Sequence, residues 1–110
     1  MNRVPLIAAF VAVLAFGPSL VRAEPSAITV KIDNFAFDSQ TVIVSPGSTV
    51  TWVNEDDAPH TVVADDGKSF RSRTLDTGDR FSFTFASAGT FGYFCSVHPH
   101  MTGKVVVKAP

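Results

Sequence analysis

The sequence predicts an all-β domain, a β-sandwich with Greek-key connections, and three observations carry that prediction. From Ala27 onward, short runs rich in Val, Ile, Thr and Phe are separated by Gly, Pro, Asn, Asp and Ser, at intervals near the roughly 8–12 residues typical of antiparallel β domains. Two runs alternate with period two: Val50 and Trp52 share a face in one, and Phe81, Phe83 and Phe85 share a face in the other. No convincing helical pattern competes after the N-terminus. A chain of 110 residues suits a single core of this kind.

Residues 1–23 read as a leader preceding that domain. Arg3 gives a positive start, Leu6 to Phe16 is an unbroken apolar run, and Gly17 and Pro18 break it before Val21-Arg22-Ala23. The apolar run is far shorter than the roughly 20 residues a membrane-spanning helix needs, and the small-residue end has the form of a signal-peptidase site. The expectation is therefore a signal peptide over 1–23 and a domain over 24–110, exported to the periplasm or otherwise secreted. An uncleaved anchor would have no use for the Val-x-Ala end. Losing Arg3 and Arg22 leaves a mildly acidic domain, without the basic stripe of a nucleic-acid binder or the amphipathic helix of a membrane-surface protein.

The strands are expected at Ala27–Ile32, Gln40–Val44, Ser48–Asn54, His60–Val63, Phe81–Phe85, Thr90–Cys95 and Gly103–Val107. Between the second and third, Ser45-Pro46-Gly47 reads as a tight turn, because Pro presets one turn position and Gly tolerates the next. The segment Ala64–Asp79 is polar and reads as a loop with a short irregular turn. The phenylalanines of the fifth run read as core packing rather than as an aromatic binding surface.

Cysteine usage sharpens the functional reading. Small secreted domains commonly rely on disulfides or a metal, yet this chain has one cysteine, Cys95, so an internal disulfide is impossible. Such a thiol is buried, paired with another chain, or protected by a metal. It opens the run Cys95-Ser96-Val97-His98-Pro99-His100-Met101, between an aromatic strand and the valine-rich last strand. Alternation of Phe91, Tyr93 and Cys95 turns the thiol inward at one end of the sandwich, where the loop can bring His98 and Met101 back toward it. His60 is a fourth candidate, after the turn Asp56–Pro59. Thiolate and thioether favour Cu(I), imidazole also suits Cu(II), and two His with one Cys and a weak axial Met make a blue-copper electron-transfer set. His100 reads as a surface histidine, since Met101 already fills the axial role.

These residues resemble the cupredoxin family over most of the domain, and the ligand loop has the spacing of its amicyanin group: Cys, two residues, His, two residues, Met. Thr51-Trp52-Val53-Asn54 leading to Pro59-His60, and Gly103-Lys104-Val105-Val106-Val107 after the Met, match the family pattern. The resemblance implies one copper ion held by His60, Cys95, His98 and Met101, with Asn54 tying the two ligand-bearing segments together. It implies a blue copper protein that shuttles single electrons through His98 between a donor and an acceptor redox protein, and such transient contacts suit a monomer with a small docking patch. Val97 stands where the amicyanins usually carry Pro, and His100 where they carry an aromatic residue.

Other functions are less well supported by the residues. Asp56, His60 and nearby serines lack the nucleophile elbow of a hydrolase, and four protein ligands leave no copper position open to substrate, so no enzyme is expected. The main rival is a periplasmic copper carrier or storage protein. A carrier tends to use exposed Met/His clusters, whereas a cysteine on an ordered strand argues for a closed site.

Overall fold

The computed structural model describes residues 24–109, and the leader read over residues 1–23 lies outside them. Eight strands form: β1 (Ala27–Asp33), β2 (Ala36–Asp38), β3 (Thr41–Val44), β4 (Ser48–Asn54), β5 (Val63–Ala64), β6 (Arg80–Phe85), β7 (Gly89–Phe94) and β8 (Thr102–Val107). They make two four-stranded sheets, ordered β2-β1-β4-β6 and β3-β8-β7-β5. Each sheet is mixed, because β1 runs parallel to β4 and β3 parallel to β8 while the remaining pairs are antiparallel. No described residue is helical. The all-β sandwich expected from the sequence is the observed architecture.

Alternation builds the core. Val30 and Ile32 of β1, Val50 and Trp52 of β4, Phe85 of β6, Tyr93 of β7 and Val105 of β8 are all buried between the sheets. Trp52 stands opposite both Val30 and Phe81 in its sheet. Its ring stacks on Phe70 at 5.9 Å and on Phe81 at 5.8 Å, and meets Tyr93 edge-on at 5.3 Å. A fully buried phenylalanine such as Phe85 contributes about 2–3 kcal/mol relative to an exposed one. The expected turn joins β3 to β4 and carries the chain from one sheet to the other. Ser48 donates its N–H to the Ser45 carbonyl, and Gly47 adopts φ +89°, the left-handed position that a type II turn reserves for glycine.

Three local expectations are corrected. The segment Ala36–Asp38 is a strand that the sequence did not signal; it pairs with β1 through a two-residue loop, Asn34-Phe35. The run expected over His60–Val63 is a strand only at Val63–Ala64, with His60 in an isolated bridge to Leu75. The strand expected to end at Cys95 stops one residue earlier, at Phe94. The polar loop after Ala64 also gives two side chains to the core, Phe70 and Leu75. Leu75 exchanges both backbone hydrogen bonds with His60, which explains why that segment pairs with a loop instead of a sheet.

Candidate metal centre

Two segments from opposite ends of the fold meet at one edge of the sandwich. The first runs from Asn54 at the end of β4 to Thr61, and its shape is set by side-chain hydrogen bonds. Asn54 Nδ2 donates to the carbonyls of Ala58 (2.9 Å) and Leu75 (2.8 Å), while its Oδ1 accepts the N–H of Asp56 (2.9 Å). Asn54 thus braces the turn before His60 against the Leu75 loop. The expected tie to the cysteine segment is made by other residues. Thr61 Oγ1 lies 2.7 Å from Ser96 Oγ and accepts the Ser96 N–H at 2.7 Å. The Thr61 hydroxyl also lies 3.8 Å from Cys95 Sγ, to which it donates where Ser96 supplies the proton of the hydroxyl pair.

His60 is fully buried, and its backbone is pinned on both sides by Leu75. Its Nε2 lies 2.9 Å from Asp56 Oδ2. An ionised carboxylate only accepts, so Nε2 carries the proton of that bond, and Nδ1 faces Cys95 Sγ at 3.7 Å. Asp56 is held ionised: the Phe35 N–H, then the His60 ring, lower its carboxyl below the ordinary range against the opposing effect of burial. In the sequence Asp56 enters only as a turn residue and as part of a rejected hydrolase arrangement, and Phe35 carries no signal of its own. An acidic residue four positions before a buried histidine was the available signal for the first.

The second segment is the loop from Cys95 to Met101. It closes on itself, because Cys95 donates its N–H to the Met101 carbonyl (3.1 Å) and Met101 donates to the His98 carbonyl (2.9 Å). Cys95 is fully buried and Met101 nearly so, whereas His98 is half-buried and Val97 and His100 are exposed. Burial pushes the Cys95 thiol up, but the Thr61 N–H, the His60 ring and the His98 backbone and ring together outweigh it and bring the thiol down to about 6. Much of it is then thiolate at neutral pH. His98 Nδ1 lies 3.9 Å from Sγ.

The outcome is a cluster in which one donor atom each of His60, Cys95 and His98 lies within 4.8 Å of the others. Met101 is held nearby by backbone bonds to Cys95 and His98, with a buried side chain. His100 lies outside the cluster, on the exposed side of His98 with ring centroids 6.5 Å apart. Two imidazole nitrogens and one thiolate, pre-aimed at a common point, fit copper better than the hard-oxygen cations.

Comparison with known proteins agrees with this donor chemistry. The model of the copper-binding plastocyanin/azurin family matches residues 24–108. Amicyanin from Paracoccus versutus is 35% identical over 86 residues, covering 74% of this chain and 65% of that protein, so the chain spans just under two thirds of that relative. Amicyanin-alpha from Methylorubrum extorquens is 36% identical over 110 residues, covering 93% of this chain and 92% of its own length. The crystal structure of Paracoccus versutus amicyanin superposes with a TM-score of 0.69 at 34% identity, over 74% of this chain and 81% of that one. A purple cupredoxin from Nitrosopumilus maritimus gives 0.69 at 31% identity, over 74% of this chain and 99% of its own.

Proposed function

This chain belongs to the plastocyanin/azurin family of copper-binding proteins, and from that premise we propose that it is a blue copper electron carrier whose single copper would be held by His60, Cys95 and His98, with Met101 as a further, weaker donor. The observation that carries the reading is the convergence of two imidazole nitrogens and one thiolate within 4.8 Å. Bound there, copper supplies one-electron chemistry between Cu(I) and Cu(II).

The rest of the work belongs to the protein. Asp56 fixes the His60 tautomer, Thr61 holds the Cys95 sulfur, and Asn54 braces the turn that carries both Asp56 and His60. Groups held this way need little rearrangement when the charge of the centre changes. His98 is the one member of the donor set that reaches the surface, so electrons enter and leave along its ring. Donor and acceptor are redox proteins that dock transiently on a monomer at the His98 face. Four protein donors leave no position for a substrate, which supports a carrier rather than an enzyme. Export with loss of residues 1–23 is supported by the leader pattern and by a family match that begins at residue 24.

Copper titration with visible spectroscopy and repeated redox cycling tests the proposal. One equivalent should give an intense thiolate-to-copper band that returns unchanged after each cycle, and Cys95→Ser should abolish it. A fully blue Cys95→Ser protein would overturn the ligand assignment. Metal shed at every reduction would favour copper delivery instead.

A further inference from the structure

The loop between β1 and β2 contains a conformational oddity directly over the donor set. Asp33 pairs with Ala36, so Asn34 and Phe35 are the two central residues of a hairpin. Their φ angles are +50° and +58°. Positive φ at both centres is the signature of a type I′ turn, whose preferred sequence is Asn-Gly. Asn34 suits its position, and the Asp33 carboxylate accepts its N–H at 2.9 Å. Phe35 does not suit its position: a bulky side chain in the left-handed region is strained, and such residues persist where their surroundings over-determine them.

Two sets of contacts do so here. The Phe35 N–H donates to Asp56 Oδ2 at 2.9 Å, the same oxygen that accepts the His60 Nε2–H. One carboxylate oxygen therefore anchors both the turn and the buried imidazole. The Phe35 ring meets His60 edge-on at 5.4 Å and 85°, and His98 edge-on at 5.0 Å and 87°. Among the described residues it is the one phenylalanine ring paired with both histidines of the donor set, although it stays 44% exposed. A residue that served only the hairpin would be glycine, and one that served only the core would not lie half in solvent.

We propose that Phe35 is a positioning residue for electron transfer: anchored by Asp56, its ring holds the His60 and His98 imidazoles in fixed mutual orientation. The proposal deepens the copper reading above and rests on it for its electron-transfer consequence. His98 has the greater need, because its neighbours on both sides, Ser96, Val97, Pro99 and His100, are exposed, whereas His60 is already pinned by Leu75.

Phe35→Gly separates the ring from the backbone, since it creates the preferred Asn-Gly turn while removing the side chain. Its thermal midpoint should stay at or above the parent's, which shows that the fold is intact. Imidazole NMR of the apo and copper(I) forms should show a narrow His98 signal in the parent and in Phe35→Tyr, and a broadened one in Phe35→Gly and Phe35→Leu. The electrode electron-transfer rate should fall about tenfold in Phe35→Gly and recover in Phe35→Tyr. The blue band should persist in all variants. Unchanged His98 line widths and electrode rate in Phe35→Gly would overturn the proposal, as would a Phe35→Tyr protein that behaves like Phe35→Gly. If Phe35→Gly misfolds, Phe35→Leu against Phe35→Tyr decides the same question. A parent that never turns blue refutes the copper reading, while the apo-form line widths still decide the role of the ring.

Discussion

Thr61 and Ser96 are joined by two hydrogen bonds on a single oxygen, the Thr61 hydroxyl accepting the Ser96 amide at 2.7 Å and pairing with the Ser96 hydroxyl at 2.7 Å. This is the direct side-chain link between the residue after His60 and the residue after Cys95. The Thr61 N–H meanwhile donates to Cys95 Sγ at 3.4 Å. One threonine therefore sets both the spacing of the two segments and the electron density on sulfur.

Thr61→Val keeps the shape and the backbone N–H but removes the hydroxyl. It should cost about 1–3 kcal/mol in denaturant unfolding of the apo protein, because the Ser96 amide loses its acceptor. Less donation to sulfur strengthens the thiolate as a ligand for Cu(II), so the reduction potential should fall. Voltammetry showing a rise would refute the assigned direction of the Thr61 hydroxyl.

Met101→Leu preserves volume and burial, while the loop bonds of Met101 are made by its backbone. Copper should still bind and remain blue. An axial thioether stabilises Cu(II) more than Cu(I), so its loss should raise the potential. A clear drop with copper still bound would show that Met101 is not the axial donor.

Two glycines should respond differently to alanine. A Cβ on Gly103 would run into the ring and hydroxyl of Tyr93, a side chain fixed in the core against Trp52 and Phe37. A Cβ on Gly92 would instead meet the carboxylate of Asp65, which is exposed and free to swing away. Gly103→Ala should lose about 1–3 kcal/mol or more from overpacking, and Gly92→Ala much less. Equal losses in thermal unfolding would contradict the packing described for Tyr93.

Asp66 offers a pH signature away from the metal centre. Its carboxylate accepts the Ser69 hydroxyl and N–H and the Lys68 N–H, which lower its pKa from 3.8 to about 2. The folded value is the depressed one, so this contribution to stability is complete above the unfolded pKa and is lost as pH falls through about 2. A carboxyl NMR titration should find that low midpoint in the folded protein, with an ordinary one in Ser69→Ala only if the hydroxyl dominates.

The residues that cluster were legible in the sequence because their signals are chemical: one thiol and two histidines, with Cys95 and His98 within a short loop. Most of the expected runs became strands for a similar reason, since β-branched and aromatic residues recur between turn formers. The Asn34-Phe35 hairpin escaped because its second centre is Phe where the turn prefers Gly, and that mismatch proves informative only beside the two imidazoles. Thr61 and Leu75 escaped because their roles depend on partners distant in sequence, and the role of Asp56 beside His60, four residues on, depends on the burial of that histidine. Phe70 was hidden in a segment whose average character is polar, although its own side chain packs on Trp52.

The burial of Cys95 also has a chemical timing. In an unfolded chain its sulfur would ionise near the ordinary thiol value of about 8.5, and would be mostly protonated and slow to oxidise at neutral pH. The hydrogen bonds that turn it into a thiolate come from Thr61, His60 and His98, and they form only when the segments distant in sequence have met. That same meeting removes the sulfur from solvent. The fold thus confers nucleophilicity on its one thiol in the act of hiding it.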